Sequence, residues 1–434
     1  MLLFRLSMKL VVIGAGYVGL VTAAVFAQFG NSVIVVEIDK NRIRQLSEGK
    51  IPFFEPGLEE LIKSNVKTER LSITDSYQKA IPQSEIIFLC VGTPTKNGRA
   101  DLSSIYSSVK SIAENLKNKV TVVIKSTVPP GTNEKVRKVF EKTTKVEIEL
   151  ASVPEFLREG KAIEDTLHPY RVVIGARNKD TIKKLLKLHQ KISGKRMVCS
   201  PESAQMIKYA SNAFLPSKIS FANSIARICD NFGINIEEVM KGMGMDKRIG
   251  PDFLNAGLGY GGSCFPKDID ALLYLSESVG YDFSILKAVK KTNNDQVDFF
   301  VNKIISLCSG SVKGKILVVL GLSFKPNTSD MREARSLYVI HRLQKLGAVV
   351  RACDPVAISE AVKVLCKADF YVDPYEALKG ADGLVLVTEW DEYKNLDFVK
   401  IKKIMKSPIV ADGRNIYNRE GLEKLGFTYE GIGK

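Results

Sequence analysis

Residues Gly259-Tyr260-Gly261-Gly262-Ser263-Cys264-Phe265-Pro266-Lys267-Asp268 place one thiol in a glycine-rich loop, with a cation and a carboxylate directly behind it. The combination suits nucleophilic attack on a carbonyl. The glycines let backbone amides approach a ligand, and Pro266 is expected to stiffen the turn that presents the thiol. Lys267 would favour the thiolate, the form that attacks carbonyls. Asp268 is close enough in sequence to act as a base or to hold a water. A tight turn beside a buried, inert cysteine would read the same way in isolation, so other residues must decide.

Two further groups have matching chemistry. Lys208 and Asn212 are four apart in a helical pattern rich in Ala, Phe and Ile, so an ammonium and an amide share one face and suit an oxyanion. The alternative is a surface pair of the ordinary kind. Glu155 lies in Ala151-Ser152-Val153-Pro154-Glu155-Phe156-Leu157-Arg158-Glu159-Gly160, a strand end, and is a candidate base with a raised pKa provided it is desolvated. Glu159 reads as solvated. Thr93 and Thr127 close two other apolar runs, where their hydroxyls serve a cofactor or water, or merely cap a helix.

The elements that must position these residues are legible. Lys9 to Ile13 is a β-branched run, followed by Gly14-Ala15-Gly16-Tyr17-Val18-Gly19, an apolar helical pattern through Phe29, and a second strand at Ser32 to Val36 closing with Glu37. Strand, glycine turn, helix and acid stand at the distances a dinucleotide requires. Gly14 makes the turn, Gly16 admits the pyrophosphate, and Gly19 permits close helix packing. Glu37 is expected to bond both ribose hydroxyls and repel a 2′-phosphate, which favours NAD over NADP, although Lys40 and Arg42 follow closely.

The alternation continues with strands expected at Ile86 to Val91 and Thr121 to Ser126, each opening into a Gly/Pro-rich loop, and at Tyr170 to Gly175 as the last strand of the first domain. From Pro201 to about Phe232 the pattern is helical, with Pro216 expected to kink or divide it. Strands at Lys315 to Gly321, Ala348 to Ala352, Gly383 to Thr388 and Pro408 to Val410 form a second α/β unit ending in Asp412-Gly413-Arg414. It lacks a GxGxxG and so suits a nucleotide-sugar better than a second dinucleotide. The fold expected is α/β, two Rossmann-like doubly wound parallel-sheet domains joined by a mainly helical segment with a long helix. The boundaries expected are 8–198, 199–300 and 301–434.

Composition narrows the classes. A chain of 434 residues, 45% hydrophobic, calls for two or three cores. Seven cysteines with no CxxC pair point to reduced thiols and a cytoplasmic setting, and three histidines leave little for a metal site or a Ser-His triad. The formal charge of +15 invites a nucleic-acid reading, but lysines interspersed with acids describe a solvated surface better. No apolar run reaches the ~18 residues of a membrane span. Met1 to Ser7 reads as too short for a signal peptide, with Met8 as the better start.

Taken together, GAGYVG at 14–19, CVGTPT at 90–95, STVPPGT at 126–132, PEFLREG at 154–160, KYASNAFLPSKISFAN at 208–223, GMDKRIG at 244–250 and GYGGSCFPKD at 259–268 resemble the UDP-glucose/GDP-mannose dehydrogenase family over nearly the whole chain. The resemblance implies oxidation of a sugar C6 alcohol to the acid, with two NAD+ as oxidants and the aldehyde retained; the wording of the last two motifs favours UDP-glucose as substrate. Cys264 would carry a thiohemiacetal and then a thioester, Lys208 and Asn212 would stabilise oxyanions, Asp268 and Thr127 would position water, and Glu155 would be the hydrolytic base.

The same resemblance assigns NAD to Gly14, Gly16, Tyr17, Val18, Gly19, Glu37, Arg42, Thr93, Thr127, Lys267 and Arg332. It assigns the nucleotide-sugar to Glu155, Phe156, Leu157, Glu159, Lys208, Asn212, Phe253, Leu254, Tyr260, Gly261, Phe324, Lys325 and Arg414. Arg248 would reach the neighbouring subunit's substrate, so a homodimer built on the long helix is expected. The sequence departs from the family at Val153, where asparagine is usual, and at Glu37, where aspartate is common. Two rivals are a dehydrogenase for UDP-N-acetylmannosamine or GDP-mannose, and a non-catalytic, NAD-responsive nucleic-acid-binding regulator.

Overall fold

The computed structural model describes residues 7–434, and the reading of the opening residues as no signal peptide lies mostly outside them. The chain divides into two units, one ending at Ser211 and the other running from Asn212 to Lys434.

The first unit holds an eight-stranded sheet of β1 (Lys9–Ile13), β2 (Ser32–Val36), β3 (Leu71–Thr74), β4 (Ile86–Leu89), β5 (Val120–Ile124), β6 (Ile148–Ser152), β7 (Arg171–Ala176) and β8 (Lys195–Cys199), in the order β8-β7-β6-β5-β4-β1-β2-β3. β4 and β5 are buried along their whole length, because helices cover both faces of a parallel sheet and every position needs an apolar side chain. The pairing is parallel except between β6 and β7. Two expectations need correction. The last strand is β8, not the run at Tyr170 to Gly175, and it escaped notice because a short, largely exposed edge strand carries no burial pattern. β4 and β5 also stop two residues early, since Ser126 Oγ turns to donate to Val91 O at 2.7 Å instead of continuing the ladder.

α1 (Tyr17–Gln28) follows the glycine turn, α2 (Ala162–Leu167) follows the loop bearing Glu155, and α3 (Pro201–Phe232) contains the division between units. α3 is one continuous helix with Pro216 inside it, so the expected division at that proline does not occur. A proline removes one ladder bond at about 3 kcal/mol. The burial of Ala213 before the proline and of Ala222, Asn223 and Ala226 after it holds the helix against that loss.

The second unit carries α4 (Phe265–Ser278), α5 (Ser284–Leu307), α6 (Arg335–Lys345) and a six-stranded, wholly parallel sheet. Its strands are β9 (Ile316–Leu320), β10 (Val349–Cys353), β11 (Asp369–Tyr371), β12 (Gly383–Leu386), β13 (Ile409–Asp412) and β14 (Thr428–Glu430), ordered β11-β10-β9-β12-β13-β14. Its first turn repeats that of the other unit. Gly14 (φ +98°) donates to Val36 O at 2.8 Å, and Gly321 (φ +91°) donates to Cys353 O at 2.8 Å. The acids that follow are pinned alike, with Asp354 accepting from Leu322, Ser323, Val356 and Ala357 N–H groups. The difference lies after the glycine, where residues 322–334 intervene before α6 begins. Among the described residues no helix is long and apolar enough to cross a membrane, and no cluster of His, Cys, Asp and Glu is arranged to hold a metal.

Candidate active site

The glycine turn between β1 and α1 fits a dinucleotide on steric grounds. A Cβ on Gly19 would lie 1.9 Å from Gly14 O, so the helix packs against the turn as only glycine allows, while a Cβ on Gly16 would meet nothing within 4 Å. Open space over Gly16, at the N-terminus of α1, is what a pyrophosphate needs. Glu37 is buried and already engaged: Oε2 accepts from Ala15 N–H at 2.9 Å, and Oε1 from Ile38 at 2.7 Å and Asp39 at 3.0 Å. A carboxylate has about four acceptor sites, so roughly one remains. Three of these sites tie down the glycine turn and the loop after β2. Arg42 stands 3.7 Å from Glu37, half exposed. Thr93 does not cap a helix; its Oγ1 donates to Thr127 O at 2.7 Å, joining the two loops that follow β4 and β5.

Glu155 and Lys208 meet in the first unit. Both are buried, and Lys208 Nζ donates to Glu155 Oε1 at 2.8 Å while Leu157 N–H donates to Oε2 at 2.7 Å. The carboxylate is thus desolvated, as the reading of it as a base requires, and it is enclosed against a cation. Lys208 also lies 5.4 Å from the ring centre of Phe156. Gln205, a turn earlier on α3, donates to Asn133 Oδ1 and Ser152 Oγ, which anchors the helix to the end of β6. Glu159 is buried, not solvated, and Arg158 makes a bidentate pair with Asp165 at 2.8 and 2.9 Å. Val153, which follows β6, is buried and donates its N–H to Ile124 O at 3.0 Å.

Sequence reasoning missed Lys125. It follows β5 directly and is buried, and burial pushes its ammonium pKa down, helped by Lys208 and opposed by the Cys90 and Glu155 charges. Burial likewise pushes the Cys90 thiol up to about 12. The signal available was a lysine closing a strand apolar but for Thr121, at the edge where ligands bind in parallel sheets.

In the second unit, Cys264 is the N-cap of α4, and Pro266 belongs to the first turn of that helix rather than to the loop before it. A proline costs nothing there because the early N–H groups have no partner anyway. The sulfur is half-buried, 3.6 Å from Ser263 Oγ. Asp268, one turn on, is 1% exposed, and its oxygens are divided between Lys267 Nζ and Asn212 Nδ2, the latter at 2.6 Å. Asn212 is itself buried. Lys208 and Asn212 are therefore no surface pair, and Asp268 is bonded to both an amide and an ammonium.

The glycines of the cysteine loop are there for close approach. A Cβ on Gly261 would lie 2.1 Å from Glu333 O, and one on Gly262 would enter the Phe324 ring. Tyr260 is fixed by Asn293, which accepts from its N–H at 2.8 Å and donates to its carbonyl at 3.1 Å. Arg414 donates to Gly259 O at 3.1 Å and to Val387 O at 2.6 Å. Leu254 is buried, and Phe253 holds a left-handed φ of +64°. Lys325 lies over the Phe324 ring, and Arg332 chelates Asp330. Arg248, by contrast, is exposed and paired only locally with Asp246 at 2.6 Å.

The chain is similar to known proteins over nearly its whole length. Profiles of the UDP-glucose/GDP-mannose dehydrogenase family match in three parts: the NAD binding domain over residues 8–193, the central domain over 202–295 and the UDP binding domain over 318–419. The UDP-glucose 6-dehydrogenase TuaD of Bacillus subtilis is 45% identical over 98% of this chain and 93% of its own length. A UDP-glucose 6-dehydrogenase of Pseudomonas aeruginosa is 42% identical over 98% of each chain. The solved UDP-glucose dehydrogenase of Pyrobaculum islandicum superposes with a TM-score of 0.92 at 37% identity, covering all of both chains. The chain belongs to the UDP-glucose/GDP-mannose dehydrogenase family, an NAD-dependent family of oxidoreductases.

Proposed function

We propose that this protein is a UDP-glucose 6-dehydrogenase, oxidising UDP-glucose to UDP-glucuronate with two NAD+ and one water. The observation that carries the reading is buried Asp268, one helical turn behind Cys264, bonded to buried Asn212 and to Lys267. The names of the relatives support the substrate. NAD, held at Gly14, Gly16 and Gly19 with Glu37 at the ribose, would supply the two-electron acceptor for each oxidation.

The protein's own groups would do the rest. Cys264 Sγ, facing the positive end of α4, would add to the C6 aldehyde carbon, forming a C–S bond while the carbonyl oxygen gains the negative charge. Lys208 and Asn212, one turn apart on α3, would stabilise that oxyanion. At the acid level Cys264 would hold a thioester. Glu155 would take a proton from water placed with the help of Thr127, the oxygen would attack the acyl carbon, and the C–S bond would break to release thiolate and uronate. Asp268 would hold Asn212 and Lys267 in place for these steps.

The division into 8–198, 199–300 and 301–434 belongs to this reading, as does the assignment of Phe156, Leu157, Glu159, Phe253, Leu254, Tyr260, Gly261, Phe324, Lys325 and Arg414 to the sugar nucleotide. So does the placing of Tyr17, Val18, Arg42, Thr93, Lys267 and Arg332 at NAD. A homodimer is included because Phe214, Phe221, Ile228 and Phe232 are exposed on α3 at intervals of seven and four residues, an apolar stripe that asks for a partner helix. Exposed Arg248 suits a role toward a second copy. A cytoplasmic setting belongs to the same reading, since seven free thiols suit a reducing compartment.

The test is NADH formed per sugar consumed, with UDP-glucose, UDP-N-acetylmannosamine and GDP-mannose side by side, for wild type and Cys264→Ser. Two NADH per UDP-glucose, with full turnover lost in the variant, is expected. One NADH and a released aldehyde would overturn the thioester route, and preference for another sugar would overturn the substrate.

A further inference from the structure

The segment Ile51-Pro52-Phe53-Phe54-Glu55-Pro56-Gly57 lies between the helix after β2 and the helix that begins at Leu58, and none of the roles above uses it. Its Glu55 is 3% exposed, a burial unusual for a carboxylate. The two oxygens are divided between backbone donors far along the chain: Oε2 accepts from Gly160 N–H at 2.6 Å and Oε1 from Ala162 N–H at 2.8 Å. Those amides bracket the end of the loop that begins at Glu155 and includes Glu159. Gly160 sits at φ +77°, a turn whose direction depends on what its N–H meets.

Two residues before Glu55, the Phe53 ring stacks on Tyr17 with ring centres 3.8 Å apart, and Tyr17 Oη donates to Phe54 O at 3.3 Å. Tyr17 is the first residue of α1, directly after Gly16. Ile51 and Phe53 pack on the same core as Leu157, Ile163 and Leu167. One short segment therefore grips the glycine turn with its aromatic ring and the acid loop with its carboxylate. A glutamine would fill the same volume but has only one acceptor oxygen, so one of the two buried N–H groups would face an amide N–H instead.

We propose that Glu55 is a positioning residue for the reaction. It sets the place of the loop carrying Glu155 and Glu159, and the segment 51–57 ties that place to the glycine turn, so that a dinucleotide bound at the turn steadies the acid loop. The consequence for turnover rests on the role given to Glu155 above; the structural link does not.

The experiment uses the full-length protein. Hydrogen exchange at the Gly160 and Ala162 amides is measured in wild type and Glu55→Gln, with kcat and KM for UDP-glucose and intact mass for acyl-enzyme on Cys264; Glu155→Gln is run alongside. Exchange about tenfold faster at those two amides, kcat down about 10- to 100-fold as expected for an ångström-scale misplacement, a smaller change in KM, and acyl-enzyme accumulating are the results expected. Faster exchange with wild-type kcat, or unchanged exchange, overturns the proposal. If Glu155→Gln turns over normally, the role of Glu155 fails, and the exchange and kcat of Glu55→Gln still decide that of Glu55. Should Glu55→Gln not fold, Phe53→Ala decides the link. NAD alone should slow exchange at Gly160 and Ala162 in wild type and not in Phe53→Ala, and equal slowing in both overturns it.

Discussion

Replacing Asp268 with asparagine tests whether the acid behind Cys264 is an orienting group. Asp268 is 1% exposed, and each oxygen has its own donor, Lys267 Nζ on one and Asn212 Nδ2 on the other at 2.6 Å. Asparagine keeps one oxygen. If the amide turns that oxygen to Lys267, its own N–H group confronts Asn212, whose buried amide loses its acceptor, at about 1–3 kcal/mol. The ion pair with Lys267 is lost as well, but Lys267 is 25% exposed, so screening holds that part to about 1 kcal/mol. The sum is about 2–4 kcal/mol. Trp390, the single tryptophan, is buried in the core of the same unit, so its fluorescence during a urea titration reports that unit alone. A midpoint shift of that size is expected, with kcat lowered about 10- to 100-fold because an amide that has turned away no longer meets an oxyanion. Combining Asp268→Asn with Asn212→Ala should add little to either single change, since the two act through one contact. A midpoint within about 0.5 kcal/mol of wild type, together with unchanged kcat, would refute the reasoning.

Two shorter predictions concern the other parts. His189 is buried, its Nδ1 bonded to Leu185 O at 2.8 Å and its ring edge-on to Phe26, and burial pushes its pKa from 6.5 down to about 4. The unfolded chain therefore binds a proton that the folded one refuses. Stability from this group is present above pH 6.5 and is lost as pH falls from there to about 4, amounting to about 3 kcal/mol. The apparent melting temperature of wild type should fall further between pH 7 and pH 4.5 than that of His189→Gln, and equal falls would contradict the assignment. For the apolar stripe on α3, Phe221→Glu combined with Ile228→Glu should turn a dimer into a monomer in sedimentation velocity. A wild-type monomer, or a dimer unaffected by the pair, would remove the basis for the homodimer.

Much of the fold could be read from local pattern because the parallel strands are buried on both faces. β1, β2 and β9 stand where β-branched runs meet glycine, and α1 follows the glycine turn, beginning at Tyr17 within the motif. What escaped was short, polar or at an edge: β8, β11 and β14 make few demands on side-chain type, since one flank of each is unpaired. Pro216 does not divide α3 for the opposite reason, a strong local signal overridden by packing along the helix.

The candidate site divides along the same line. Sequence alone determined which residue types stand together, from the GxGxxG turn with its acid to the Gly-rich loop around Cys264 and the i, i+4 pair Lys208 and Asn212, because these depend on spacing within one turn or one helix. Only tertiary structure decided what each carboxylate does. Glu37 is committed to three backbone N–H groups, Glu155 to Lys208, Asp268 to Asn212 and Lys267, and Glu55 to amides more than a hundred residues away. An acid's function depends on which donors reach it once water is excluded, and those donors come from distant parts of the chain.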